Sequence, residues 1–104
     1  MIINLKKEKD EVLDFTIDWT KYLLNSGSDT ISSSSWAEDS GGITIDSNSN
    51  TTTAATVWLS GGSHNNTYTI ENTIVTASSR TVKRHINVKV TELSTRIIQD
   101  GYVY

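Results

Sequence analysis

Polar and apolar residues alternate along two limbs in the last third of the chain. Tyr68, Ile70 and Ile74 share one parity, with Thr69, Glu71 and Thr73 between them. After the polar break Ala77-Ser-Ser-Arg80, Ile86, Val88 and Val90 alternate with His85, Asn87, Lys89 and Thr91. A period of two sets one side of each limb against a core and the other in water. It predicts two half-buried antiparallel strands joined by a short turn.

The same period appears upstream. Leu13, Phe15, Ile17 and Trp19 alternate with Asp14, Thr16 and Asp18, which predicts a first strand. Thr20 to Leu24 fits a single helical turn before the loop Asn25-Ser-Gly-Ser. Between Asp29 and Glu38, Ile31 and Trp36 have opposite parity, so either a bulge brings both to one face or one of them is exposed. Gly41-Gly42 signals a turn, Ile43 and Ile45 begin another strand, and Thr53 to Ser60 follows with Val57 and Leu59 on one side and Trp58 on the other. A long turn, Gly61 to Asn66, leads into the hairpin. Strands spaced by turn signals in this way predict an all-β sandwich of six or seven antiparallel strands in two sheets. Its expected core is Leu13, Phe15, Ile17, Trp19, Val57, Leu59, Tyr68, Ile70, Ile74, Ile86, Val88 and Val90. The expected organisation is a lead over residues 1–12, a sandwich domain over 13–93 and a tail over 94–104. No longer repeat suggests a solenoid or propeller.

At 104 residues the chain suits one domain with one core. It has no cysteine, which removes disulfides, thiolate nucleophiles and Cys-ligated metals, and suits assembly in a reducing cytosol. No apolar stretch has the length of a signal peptide or a membrane span, so neither export nor a membrane partner is expected. The net charge is only -3 but unevenly placed: no Lys or Arg lies between Tyr22 and Ser79, and Arg80, Lys83, Arg84, Lys89 and Arg96 cluster late. More than half of the chain has no cation to offer to phosphates, so nucleic acid is not the expected partner. Ser and Thr exceed a quarter of the residues, and large apolar residues bound their runs. They read as hydroxyl-rich sheet surface with polar turns.

Candidate chemistry is sparse. His64 lies in a Gly/Asn turn and His85 on an outward strand position, neither in a local motif with Ser or Asp. Leu59-Ser60-Gly61 lacks the first glycine of a nucleophile elbow. Asp14, Asp18, Asp29, Asp39 and Asp46 supply oxygens that could in principle meet calcium, but their spacing fits no EF-hand loop. The expectation is no enzyme, no metal and no cofactor.

The partner signals are aromatic and terminal. Burying Val57 and Leu59 turns Trp58 outward, where an indole is a fair interface anchor. Ile97, Ile98, Tyr102, Val103 and Tyr104 are too apolar for a solvated tail. They either fold back as an edge strand or pair with another chain. The chain contains no proline, a common guard of sheet edges.

Four segments together resemble a known family. They are Lys9-Asp-Glu-Val-Leu-Asp-Phe-Thr-Ile-Asp-Trp19, Asp29-Thr-Ile-Ser-Ser-Ser-Ser-Trp36, Thr56-Val-Trp-Leu-Ser-Gly-Gly62, and Tyr68-Thr-Ile-Glu-Asn-Thr-Ile-Val-Thr76 followed by Arg80. In order and spacing they are similar to small Ig-like virion proteins of tailed bacteriophages, the fibre–tail adaptor or head–tail connector proteins, over residues 9–91. The chain departs from that pattern in lacking a proline before Glu11 and in its apolar tail after Thr91. The resemblance implies a single Ig-like β-sandwich and a non-catalytic structural protein. It would be made in the bacterial cytoplasm, present in many copies in the virion, and in contact with portal, tail, fibre or capsid proteins. The alternatives are a head decoration protein and a carbohydrate-binding Ig-like module with Trp58 as its sugar platform.

Overall fold

The computed structural model describes residues 2–38, 41–91, 98–99 and 102–103. Strand β1 (Ile2–Glu8) leads into β2 (Leu13–Asp18), the one-turn helix α1 (Thr20–Asn25) and β3 (Ile31–Glu38). Strands β4 (Ile43–Asn50), β5 (Ala54–Gly61), β6 (Thr67–Thr76) and β7 (Thr81–Thr91) follow. The short strands β8 (Ile98–Gln99) and β9 (Tyr102–Val103) pair with each other. A four-stranded sheet in the order β1-β7-β6-β3 faces a three-stranded sheet in the order β2-β5-β4. This is the two-sheet sandwich expected from the alternation, within the six or seven strands it predicted.

The β6–β7 hairpin has the predicted register, with Tyr68 opposite Val88 and Ile70 opposite Ile86. Val57, Leu59, Ile70, Ile74, Ile86, Val88 and Val90 are all buried, so the inward parity is the one read from the sequence. Phe15 packs against this core from a half-buried position, and Leu13 is likewise half-buried. The opposite parities of Ile31 and Trp36 are reconciled by a register shift between Ile31 and Ser33 in the β3–β6 ladder. That bulge leaves Ile31 buried and Trp36 packed on the same core. A second shift, between Ile45 and Ser47, bends β4.

Residues 2–8, part of the stretch read as a lead, form a strand. β1 lies parallel to β7, from Ile2 opposite His85 to Glu8 opposite Thr91, the exception to an otherwise antiparallel fold. No hairpin constrains the direction of two strands so far apart in sequence. At Lys9 the chain turns away toward the other sheet, and Lys9 N–H donates to Thr91 O at 2.7 Å.

Two polar residues occupy core positions. Lys7 is 1% exposed. Its Nζ donates to the carbonyls of Glu8 (2.9 Å), Lys9 (3.3 Å) and, on the facing sheet, Gly61 (2.9 Å). The stem lies inside while the ammonium is held by carbonyl oxygens, which offsets the cost of burying a cation. Asn72 is fully buried on the inward parity of β6. Its Oδ1 accepts from Trp19 Nε1 at 3.1 Å, and its Nδ2 donates to Ser34 Oγ (2.9 Å) and Ser35 O (3.0 Å). One amide thus ties β3, β6 and the end of β2 together.

Gly62 is required by its surroundings. Its φ is +98°, and a Cβ there would come within 2.6 Å of Val90 Cγ2 and 3.2 Å of the Tyr68 ring. The glycine lets the β5–β6 turn close over the core, while Tyr68 OH accepts from Ser63 N–H at 2.8 Å.

Candidate interaction surfaces

Trp58 faces outward. In β5 burial alternates, with Ala55, Val57 and Leu59 inside, and Trp58 is left 41% exposed on the central strand of its sheet. Its cross-strand neighbours are Asp14 on β2 and Ser47 on β4. The same face carries hydroxyls bonded to one another and to acid: Thr16 Oγ1 lies 2.8 Å from Thr56 Oγ1, and Ser60 Oγ donates to Asp46 Oδ1 at 3.0 Å. A single large apolar ring therefore stands on a short-chained polar sheet. That arrangement suits contact with a flat surface more than capture of a small molecule.

Of the terminal candidates, Ile97 and Tyr104 lie outside the described residues. Ile98 pairs with Val103, and Gln99 with Tyr102, in the small β8–β9 ladder. The hydrogen-bonded partner of each of these strands is the other one, not an edge of the sandwich.

The residues weighed for chemistry are dispersed. His64 is exposed in the β5–β6 turn. His85 Nε2 lies 2.9 Å from Glu71 Oε2 on the outer face of the larger sheet, with Lys83 Nζ 3.7 Å from Glu71 Oε1. Asp18 accepts from the amide (2.9 Å) and hydroxyl (2.6 Å) of Thr20, and these bonds hold its carboxyl below the usual carboxylate range, the hydroxyl contributing most. Asp39 lies outside the described residues. Among the described residues no three His, Asp or Glu side chains gather in a group suited to a metal ion. No helix among them is long and apolar enough to cross a membrane.

Asp29 does structural work that its spacing did not announce. It is buried in the loop between α1 and β3. It accepts from the amides of Thr30 (2.9 Å) and Ser78 (3.2 Å) and from Arg80 Nη1 (3.0 Å). Arg80 Nη1 also reaches Ser26 O at 3.3 Å. The Thr76 hydroxyl, foremost, and the two amides lower the Asp29 carboxyl to about 2, against the opposing effect of burial. The cluster clasps the β6–β7 turn to the α1–β3 loop across about 50 residues of chain. Such a distance hides it from any local pattern.

Comparison with known proteins gives a family and a fold. A family model described as "Podophage GP4 fiber-tail adaptor protein gp77" matches residues 7–89. No curated protein matches the chain. Among solved structures, the "Solution structure of the PKD domain from KIAA 1837 protein" is similar with a TM-score of 0.52 and 23% identity, over 93% of this chain and 86% of that one. At that identity the likeness speaks for the Ig-like sandwich alone.

Proposed function

Because the chain belongs to the podophage GP4 fiber-tail adaptor family, whose model spans most of its length, we propose that it is a non-catalytic component of a phage virion. It works by binding tail and fibre proteins through its surfaces, in many copies, with no cofactor and no nucleic acid as partner. The family match carries this reading. The indole exposed at Trp58, the apolar tail sequence and the lack of proline at the sheet edges support it.

Two surfaces would make the contacts. Trp58 anchors one. The tail, with Ile97, Ile98, Tyr102, Val103 and Tyr104, is the other, an assembly arm that a neighbouring protein covers. Removal of residues 94–104 tests the arm. The truncated protein should keep its thermal midpoint and fail to enter particles. Unfolding of the truncated protein, or normal incorporation, would remove the arm from the proposal. The wider reading is tested by cross-linking and mass spectrometry of purified particles, where cross-links to tail and fibre proteins are expected. Recovery of the protein only from the soluble host fraction would overturn it.

A further inference from the structure

Two charged clusters lie on opposite outer faces of the sandwich, and each lacks what the other carries. On the larger sheet, Lys6 of β1 stands directly opposite Lys89 of β7, and both are exposed. Like charges opposite each other in a ladder are destabilising. Neither lysine forms an ion pair among the described residues. Glu71, farther along the same face, is engaged by His85 and Lys83. The acids of the β1–β2 turn are bound to its own amides, Glu8 to Asp10 N–H and Glu11 to Glu8 N–H, both at 2.9 Å. They soften the local field without pairing either ammonium. Between the two lysines lies a hollow of about 200 Å³ walled mostly by carbon, with Leu5, Thr67 and Asn87 completing its lining.

The smaller sheet is the counterpart. Its strands β2, β4 and β5 contain no Lys, Arg or His. On its outer face Trp58 stands between two acids. Asp14 is its neighbour on β2, and Asp46 adjoins Ser47, its neighbour on β4. Asp14 has no hydrogen bond or ion pair among the described residues, and Asp46 takes the Ser60 hydroxyl. The third acid of this face, Asp18, sits at the end of the sandwich, bonded to Thr20 and beside Lys21 and Arg84, and takes no part. The ammonium of Lys7 reaches Gly61 O at the end of β5, but that lysine is buried beneath the sheet.

We propose that these two faces are the halves of one contact, made between copies of this chain. Trp58 of one copy enters the Lys6–Lys89 hollow of the next, and Asp14 and Asp46 meet the two ammoniums. The indole covers the lysine stems, where attraction of the cations to the ring adds to burial. The carboxylates remove the repulsion between the lysines, which nothing among the described residues of the same copy does. An aromatic anchor with an acidic rim then faces a hollow with a cationic rim, and that complementarity fixes the register of the two copies. The contact joins unlike faces, so each pair leaves one of each kind free. Association therefore continues until it closes on itself. For its place in a virion the inference rests on the adaptor reading, but the contact itself does not.

Sedimentation of the full chain at rising concentration is the test. The wild-type protein should pass from monomer to dimer and larger species below millimolar concentration, and added salt should reverse the shift. Two double variants each remove one half of the contact: Trp58→Ala with Asp14→Asn, and Lys6→Gln with Lys89→Gln. All four positions are exposed, so both variants should keep the thermal midpoint of the parent. Each should stay monomeric alone. Mixed in equal amounts they should form a dimer and nothing larger, because each still offers the half that the other lacks. Should a double variant misfold, Trp58→Ala and Lys89→Gln alone should each weaken association about tenfold. A wild-type protein that stays monomeric at millimolar concentration, a folded double variant that still associates, or a folded mixture that stays monomeric would overturn the contact. Absence of the wild-type protein from particles would overturn the adaptor reading, while a mixed dimer would keep the contact. Its presence in particles, with no self-association in solution, would do the reverse.

Discussion

Trp19 and Trp36 both pack on the core, but only Trp19 has a partner for its indole N–H. Trp19 Nε1 donates to Asn72, whereas Trp36 Nε1 is buried with no acceptor among the described residues. Replacing either by Phe removes the indole N–H, but Trp19 is the more deeply buried ring, so both its packing and its hydrogen bond weigh on the same side. Trp19→Phe orphans the Asn72 carbonyl and should cost about 2–4 kcal/mol, whereas Trp36→Phe removes an orphan and should cost no more than about 1 kcal/mol. Chemical denaturation of both variants checks the order, and equal losses would refute it. Asn72 had a signal in the sequence, since it shares the parity of Ile70 and Ile74. Its polarity concealed that it was a core residue. Asp29 yields a pH prediction. Its carboxyl is lowered from 3.8 to about 2 on folding, so the unfolded chain binds the proton more readily. The stabilisation is complete above the unfolded value and drains away as pH falls from about 4 through about 2. Asp29→Asn should therefore be less stable than the parent at neutral pH, and the gap should narrow across that window. A gap that stays constant down to pH 2 would show that the ionised carboxylate is not what matters.

At the scale of the element, legibility followed how strictly each strand alternates. β2, β5, β6 and β7 were plain because one side of each is apolar almost without break. The bulge in β3 could be read as one of two options, because Ile31 and Trp36 cannot share a face in a regular strand. β1 was concealed by Lys7, a lysine on the inward side of a strand otherwise short of pattern. Burial of that stem is a packing contribution, and capture of the head is a polar one. They separate in two variants: Lys7→Met should cost about 1 kcal/mol and Lys7→Ala about 2–3 kcal/mol, because methionine keeps most of the stem. Equal losses in a thermal melt would assign the whole effect to the ammonium. The turns contribute as much as the strands. Gly62→Ala should cost about 1–3 kcal/mol from its positive φ alone, with the approach to Val90 added to that. The parallel pairing of β1 with β7 was invisible in the sequence, since it joins residues some 80 positions apart.

For the whole molecule, the fold follows from alternation, while the adaptor role comes from the family and could not be reached from any catalytic or metal-binding pattern. Interaction surfaces leave weak traces in a single sequence, because an outward Trp58 and an apolar tail look the same whether a partner exists or not. One feature of the architecture has a mechanical side. β1 and β7 are parallel, so a pull applied at Ile2 and at Thr91 drives the two strands past each other along their length. All rungs of that ladder then bear load together, instead of opening one at a time as they would if an end were peeled away. A component that transmits force between a fibre and a tail is well served by this geometry. Since the chain has no cysteine, single engineered thiols can serve as unique pulling handles. Force spectroscopy with handles at Ile2 and Thr91 should give a higher rupture force than handles at Ile2 and His85, which lie opposite each other and would unzip the ladder from one end. Equal rupture forces would mean that the parallel pairing is not the load-bearing clamp.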